Sequence, residues 1–239
     1  ESQLQESLEF VDLSTLEERL LGKNSITHEF TDKISGWGRS RFIPVDYDAD
    51  GRLWHVLYCV ENIDEEKRRE DRLMYLAQID LMTGIRNRGS GENKITEYLV
   101  RKQCGLLCLL DCDKFKSIND TYGHAVGDKV IIAIADTLRK SCRDDDVVLR
   151  LGGDEFAVFI PGMLDKERAE AFFDRLFSNI EHIDIAEMNG KQILLRLGAC
   201  FYDGMDCITF DQLYRRADTA MYDSKKKQGY SATIYDAKQ

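Results

Sequence analysis

Alternating apolar and polar residues predict three strands in the first part of the chain. The segments Ile26 to Phe30, Arg39 to Val45 and Leu53 to Ile63 alternate with a period of two. A short helix is predicted at Ser14 to Leu21, where the letters Ser-Thr-Leu-Glu resemble a capping box. The charged segment Asp64 to Ile79 contains neither glycine nor proline, and we expect it to form a linker helix.

The second part of the chain predicts a sheet with helices packed on it. The run Leu106 to Leu110 is apolar at every position, as in a central strand buried on both faces. Two apolar runs flank the pair Gly152-Gly153 and predict a hairpin, because glycine adopts positive φ without a steric cost. Helical spacing appears at Val130 to Leu138, Ala169 to Ile180 and Leu213 to Ser224, and Ile193 to Phe201 alternates like a strand. This order predicts an α+β fold with helices on a largely antiparallel sheet.

Acidic residues follow both the buried strand and the glycine pair. Asp111 ends the strand, and Asp154 and Glu155 follow the glycines. If the strand pairs with the hairpin, Asp111 converges on Asp154, and carboxylates about 4 Å apart repel by roughly 4 kcal/mol at an effective dielectric constant near 20. A divalent cation between them reverses that sign, and oxygen ligands without a neighbouring histidine or thiolate favour Mg²⁺ or Mn²⁺. The alternatives are a solvated hairpin tip and a salt-bridged strand end.

Asn119 and Asp128 are candidates for recognising a nucleotide base. An aspartate accepts two hydrogen bonds, which suits the N1 and N2 donors of guanine and not the edge of adenine. Both residues could instead cap helices, and the apolar stripe that follows Asp128 favours a cap there. Capping and base recognition are compatible with each other.

Together these residues resemble the GGDEF family of diguanylate cyclases. The resemblance runs from about Asp80 to Tyr235 and rests on ordered motifs: Asp80 to Gly84 with Asn87-Arg88, Asp111 to Lys116, Asn119-Asp120, Gly123-His124, Gly127-Asp128, Arg150 to Phe156, and Arg216 to Asp218 with Ala220 to Tyr222. It implies a ferredoxin-like sheet, similar to those of nucleotide cyclases and polymerase palms. It also implies that two GTP molecules condense into cyclic di-GMP, with release of two pyrophosphates, where two copies meet as a homodimer.

The resemblance assigns roles to individual residues. Asp111, Asp154 and the carbonyl of Cys112 would bind metal, two Mg²⁺ or Mn²⁺ ions per half-site. Glu155 would ligate metal or help deprotonate the attacking hydroxyl. The implied GTP-binding residues are Lys114, Phe115, Lys116, Asn119, Asp128, Gly152, Gly153, Lys225 and Lys226.

An inhibitory product site is implied at Arg143 and Asp146, although a solvated charged loop also explains these two residues.

The chain departs from the family pattern at two places. Tyr230 stands where the family has a basic residue, and the run of lysines at 225–227 leaves open which of them contacts phosphate. Met82 replaces the usual leucine of the entry motif.

Three regions follow from these patterns. Residues 1–63 are similar to the C-terminal half of a PAS sensor domain, preceding a signalling linker helix at 64–79 and the cyclase domain at 80–239. A generic sheet that only packs or dimerises explains residues 1–63 as well. The linker helix could form a parallel pair with that of a second copy.

Composition narrows the choice of function. The 239 residues carry a net charge of -10, which disfavours nucleic acid or an anionic membrane as a partner. No apolar stretch is long enough to span a bilayer, and no signal peptide is visible. Both observations are compatible with a membrane anchor upstream of this sequence. Seven cysteines without a Cys-x-x-Cys pair are typical of a reducing cytoplasm. The resemblance to the family, together with this composition, implies a cytoplasmic, product-inhibited diguanylate cyclase; the alternative is a receptor that binds GTP or cyclic di-GMP without turnover.

Overall fold

The structure is a computed structural model that describes residues 2–32, 36–226 and 229–236. The chain divides into two compact units, residues 1–75 and 76–239. The first unit contains helices α1 (Ser2–Val11) and α2 (Leu16–Leu20) and strands β1 (Ile26–Asp32), β2 (Gly36–Tyr47) and β3 (Leu53–Asn62). The strands form an antiparallel sheet in the order β1-β2-β3, which confirms the three predicted strands. Helix α3 (Asp64–Gln78) confirms the predicted linker helix.

The predicted capping box at the start of the short helix is wrong. Helix α2 begins at Leu16, and its N-cap residue Thr15 makes no side-chain capping hydrogen bond. The Glu17 carboxylate instead accepts a hydrogen bond from the Leu53 backbone N–H at 3.1 Å. Because that carboxylate bonds to strand β3, it does not fold back on the first turn of its own helix. Helix α1 was not predicted.

The second unit is built around a five-stranded sheet in the order β5-β6-β4-β7-β8. Its strands are β4 (Gly105–Cys112), β5 (Val147–Gly152), β6 (Glu155–Pro161), β7 (Leu195–Tyr202) and β8 (Ser231–Ile234). Neighbouring strands are antiparallel except for the parallel pair β7–β8. The predicted α+β fold is confirmed, and β4 is its central strand.

Helices cover both faces of this sheet. They are α4 (Arg88–Val100), α5 (Phe115–Tyr122), α6 (His124–Ser141), α7 (Lys166–Glu181) and α8 (Phe210–Ser224). Leu106, Cys108 and Leu110 pack in one apolar cluster with residues of α6 and α7. Leu107 and Leu109 pack in a second cluster with residues of α4 and α8. Each fully buried leucine contributes about 1.5–3 kcal/mol, so β4 is fixed from both sides.

None of the helices in the described ranges combines the length and the apolar character needed to cross a membrane.

Candidate active site

Three acidic side chains meet where β4 ends beside the β5–β6 hairpin. In the antiparallel register, Asp111 of β4 lies directly opposite Glu155 of β6. Residues directly opposite in antiparallel strands project to the same face, so these two carboxylates are neighbours. Asp154 lies in the turn that joins β5 to β6. The structure thus brings together the three acids that the sequence analysis singled out.

The glycine pair leaves open space at the turn. Gly153 has φ 55°, in the left-handed region that favours glycine, and Gly152 has φ 154°. A Cβ atom added at either position would meet no heavy atom within 4 Å. The turn therefore requires glycine for its backbone conformation, and it leaves room for a ligand against the main chain.

The acids destabilise one another in their charged forms. Burial, followed by the charge of Asp111, raises the pKa of Asp154. Burial, Asp111 and then Asp154 raise the pKa of Glu155. Burial and the charge of Asp154 raise the pKa of the Cys112 thiol to about 12, which keeps it neutral. Within the described part of the chain, no three His, Cys, Asp or Glu side chains form a ready-made metal site.

Lys225, the C-cap residue of α8, forms an ion pair with Asp111. Its Nζ donates a hydrogen bond to Asp111 Oδ2 at 2.8 Å. Burial opposes the charge of Lys225, but the hydrogen bond to Asp111 and the nearby carboxylates outweigh it and raise the pKa of the lysine. Lys226 instead pairs with Asp223 at 2.8 Å. The structure therefore places Lys225 on the acids; Lys227 lies outside the described residues.

Helices α5 and α6 meet at Asn119. Its Oδ1 is buried and has no hydrogen-bond partner among the described residues. A Cβ atom added at Gly127 would come within 1.9 Å of this Oδ1 and 3.3 Å of Phe115 Cζ, so the missing side chain of Gly127 leaves room for both residues. A buried acceptor without a donor costs about 1–3 kcal/mol, and such atoms are rare in native proteins. Asn119 is therefore suited to a ligand that supplies a hydrogen-bond donor.

The alternative that Asn119 and Asp128 cap helices is wrong. Asn119 lies inside α5, and Asp128 lies inside α6 with an exposed side chain. The residues at the N-cap positions are Lys114, in the left-handed conformation with φ 57°, and Gly123. Lys116 is exposed in the first turn of α5. The side chains of Asn119 and Asp128 thus carry no capping role.

Arg150 binds the main chain of the glycine turn. Its Nε and Nη2 donate to the Gly153 carbonyl at 3.0 and 2.7 Å. Its Nη1 donates to Asp80 Oδ1 at 3.1 Å, and the same carboxylate accepts from Thr83 Oγ1 at 2.6 Å. Burial opposes the charge of Asp80, but Thr83 and Arg150 outweigh it and lower the pKa of this carboxyl. Asp80, Thr83 and Arg150 belong to the family motifs of the sequence, but the motifs alone predict no role for them.

Comparison with known proteins agrees with this geometry. Residues 77–231 match the family described as "Diguanylate cyclase, GGDEF domain". The chain belongs to the GGDEF diguanylate cyclase family. Synthesis of cyclic di-GMP is the activity of that family, and the resemblance inferred from the motifs is confirmed at this level.

Relatives cover most of the chain. Diguanylate cyclase DgcM of Escherichia coli K12 is 32% identical over 233 residues, which are 88% of this chain and 55% of DgcM. The GGDEF domain of TpbB (YfiN) from Pseudomonas aeruginosa is 30% identical with a TM-score of 0.59, covering 66% of this chain and 94% of that domain. DgcB from Caulobacter crescentus, solved with cyclic di-GMP, has a TM-score of 0.64 at 22% identity, over 72% of this chain and 93% of that one, and supports the fold alone. The chain spans about half the length of DgcM.

A cavity of about 250 Å³ lies elsewhere on this GGDEF domain, at Arg143 and Asp146. Asp146 Oδ2 accepts a hydrogen bond from the Arg143 backbone N–H at 2.7 Å, and burial raises the pKa of Asp146. Arg168 and Arg175 of α7 also line the cavity. These two arginines were not predicted, because the helical spacing of α7 indicates only its apolar stripe. Three arginines and one acid form a pocket suited to an anionic ligand.

Proposed function

We propose that the protein is a diguanylate cyclase, dependent on Mg²⁺ or Mn²⁺, that condenses two GTP molecules into cyclic di-GMP and two pyrophosphates. The observation that carries this proposal is the meeting of Asp111, Asp154 and Glu155 beside an open two-glycine turn. Paired carboxylates at a turn that admits phosphate suit nucleotidyl transfer, in which positioning and charge neutralisation supply most of the catalysis.

The donor set fits a hard divalent cation. Asp154 and Glu155 have raised pKa values because they are buried near Asp111, and a bound cation relieves that repulsion. The neutral thiol of Cys112 leaves its backbone carbonyl as the donor at that position. Mg²⁺ usually binds through one or two carboxylates, waters and substrate phosphates, so the acids need not complete the site alone. When bound, such a cation neutralises charge on the phosphates.

The base is held by α5 and α6 in this proposal. Asn119 Oδ1 would accept a hydrogen bond from guanine, which supplies the donor that this buried atom lacks. The exposed carboxylate of Asp128 would accept from guanine N1 and N2. Phe115, in contact with this pocket, would pack against the base, and Lys114 and Lys116 are exposed cations available to phosphate.

The phosphates would lie along the turn at Gly152 and Gly153, where there is space. Lys225 would move from Asp111 to the terminal phosphates. Glu155, whose pKa is raised, would accept the proton of the ribose 3′-hydroxyl. The 3′-oxygen of each GTP attacks the α-phosphorus of the other and expels pyrophosphate. Because each nucleotide reacts with one held by a second domain, two copies must meet, and we include a homodimer in the proposal.

We also propose product inhibition through the cavity at Arg143. Cyclic di-GMP carries two phosphates and two guanine edges, and guanidinium groups bind both. The cavity offers matching donors and an acceptor in Arg143, Arg168, Arg175 and Asp146.

The three-stranded sheet of the first unit would act as a PAS-like sensor upstream of the cyclase.

The test is product analysis. The dimeric protein is incubated with GTP and Mg²⁺, with ATP, and with their mixture, and cyclic dinucleotides and pyrophosphate are quantified by mass spectrometry. We expect cyclic di-GMP from the native protein and from the control Asp184→Asn, which changes an exposed acid outside the site. Asp154→Asn should make none. A dimeric native protein that binds cyclic di-GMP but makes none would instead be the non-catalytic receptor.

A further inference from the structure

We infer that Arg196 is a positioning residue, which ties the loop after Asp111 to the end of α8 and so sets the place of Lys225 against the acids. This role rests on the proposed function. Arg196 lies on β7 directly opposite Asp111 of β4 and next to Ser231 of β8. On its other side Asp111 lies opposite Glu155 of β6. Glu155, Asp111 and Arg196 therefore form one row across three neighbouring strands.

The guanidinium holds both loops at once. Its Nη2 donates to Asp113 Oδ2 at 2.8 Å, in the loop that leads from Asp111 into α5. Its Nη1 donates to the Gly229 carbonyl at 2.5 Å and to Ser231 Oγ at 3.2 Å, after α8. The Arg196 side chain is only 8% exposed, so it supports the site from inside the protein.

The connection continues to Lys225 itself. Ser231 Oγ donates to the Ser224 carbonyl at 2.8 Å, and Ser224 is the last residue of α8. Lys225 follows directly and reaches Asp111. Two segments that the chain separates by more than a hundred residues are thus joined by Arg196 and by the pair Lys225–Asp111. Since a misplacement of about 1 Å can cost on the order of 100-fold in rate, this connection matters for catalysis.

Only arginine can make these contacts together. A lysine ammonium can pair with Asp113, but it is a point charge without the planar set of donors that reaches Gly229 and Ser231 in addition. Removal of the charge also leaves Asp113, whose side chain is 22% exposed, without its partner beside an already acidic row. Arg196 therefore acts by geometry and by charge, and a double substitution separates the two effects.

The test compares Arg196→Lys, Arg196→Met and the double variant Arg196→Met/Asp113→Asn, in the full chain. Binding of 3′-deoxy-GTP with Mg²⁺ is measured by calorimetry, because this nucleotide cannot react onward. We expect Arg196→Met to bind about tenfold more weakly or worse, and Arg196→Lys to bind at an intermediate level. The double variant should recover thermal stability but not affinity. The control is Arg139→Met, which removes a surface arginine paired with Asp136.

A second readout does not depend on nucleotide. In Arg196→Met the segment after α8 loses its tie, so trypsin should cleave after Lys225 and Lys226 about tenfold faster than in the control. Affinity within twofold of the native value in Arg196→Met, unchanged cleavage, or full recovery of affinity in the double variant would each overturn the positioning role. A native protein that binds no 3′-deoxy-GTP would overturn the nucleotide site itself, and this role with it.

Discussion

The substitution Gly127→Ala tests the proposed base pocket with a single methyl group. Gly127 lies inside α6, where alanine normally stabilises a helix by about 0.5–1 kcal/mol relative to glycine. Here the new Cβ would lie 1.9 Å from Asn119 Oδ1, which no real contact allows, and 3.3 Å from Phe115 Cζ. The Asn119 side chain must therefore rotate out of its present position.

The expected loss follows from the hydrogen bond that Asn119 Oδ1 would accept from guanine. Such a bond contributes about 0.5–1.5 kcal/mol, so its loss weakens GTP binding roughly 2- to 13-fold. Calorimetry with 3′-deoxy-GTP and Mg²⁺ measures this change directly. Thermal unfolding, measured in parallel, establishes that the variant remains folded.

Gly89→Ala is the matched control. Gly89 also lies in a helix, α4, and its added Cβ would be 3.8 Å from Asn87 Oδ1, an ordinary van der Waals distance. We expect this variant to keep its GTP affinity. If Gly127→Ala also binds GTP with native affinity while remaining folded, Asn119 does not hold the base, and our reading of α5 and α6 is incorrect.

Three further predictions concern charge. The pKa of Asp154 is raised in the folded protein, so its ionised carboxylate lowers the stability of the fold above that pKa, and this loss disappears as pH falls. Without metal, Asp154→Asn should therefore raise the melting temperature at pH 7 by on the order of 2 °C, and by less near pH 4. Lys225→Met should weaken 3′-deoxy-GTP binding about tenfold in calorimetry, whereas Lys226→Met should change it less than about twofold. Arg143→Ala should weaken cyclic di-GMP binding about tenfold, with Arg215→Ala as the control; equal affinities would reject the inhibitory site.

Periodicity predicted the fold well where each segment buries one face or two. The run Leu106 to Leu110 identified the central strand, because a short strand buried on both faces is apolar at every position. Helix α4 was missed because it contains two glycines and buries little besides Ile95 and Leu99. Its formation depends on tertiary packing more than on local preference.

The motifs identified the residues of the candidate site but not what holds them. The pair Arg150–Asp80 joins positions 70 residues apart, and Arg196–Asp113 joins positions 83 residues apart. Neither the hydrophobic spacing nor the local order of charges predicts such pairs, because each pair forms only when the register of the strands brings its two residues together. The same limit applies to Arg175, which reaches the cavity at Arg143 only after α7 has packed beside the sheet.

The pairing of Lys225 with Asp111 suggests how the free protein tolerates three acids in one place. One ammonium offsets one of the three carboxylates, while burial, followed by the charge of Asp111, still raises the pKa values of Asp154 and Glu155. In the proposed reaction, divalent cations that bind with the nucleotide would supply the missing positive charge, and the phosphate oxygens would be available to the lysine. The ammonium can then exchange one anionic partner for another without being left unpaired. Lysine suits this exchange better than arginine, because a single flexible ammonium has no bidentate hold on the carboxylate to give up.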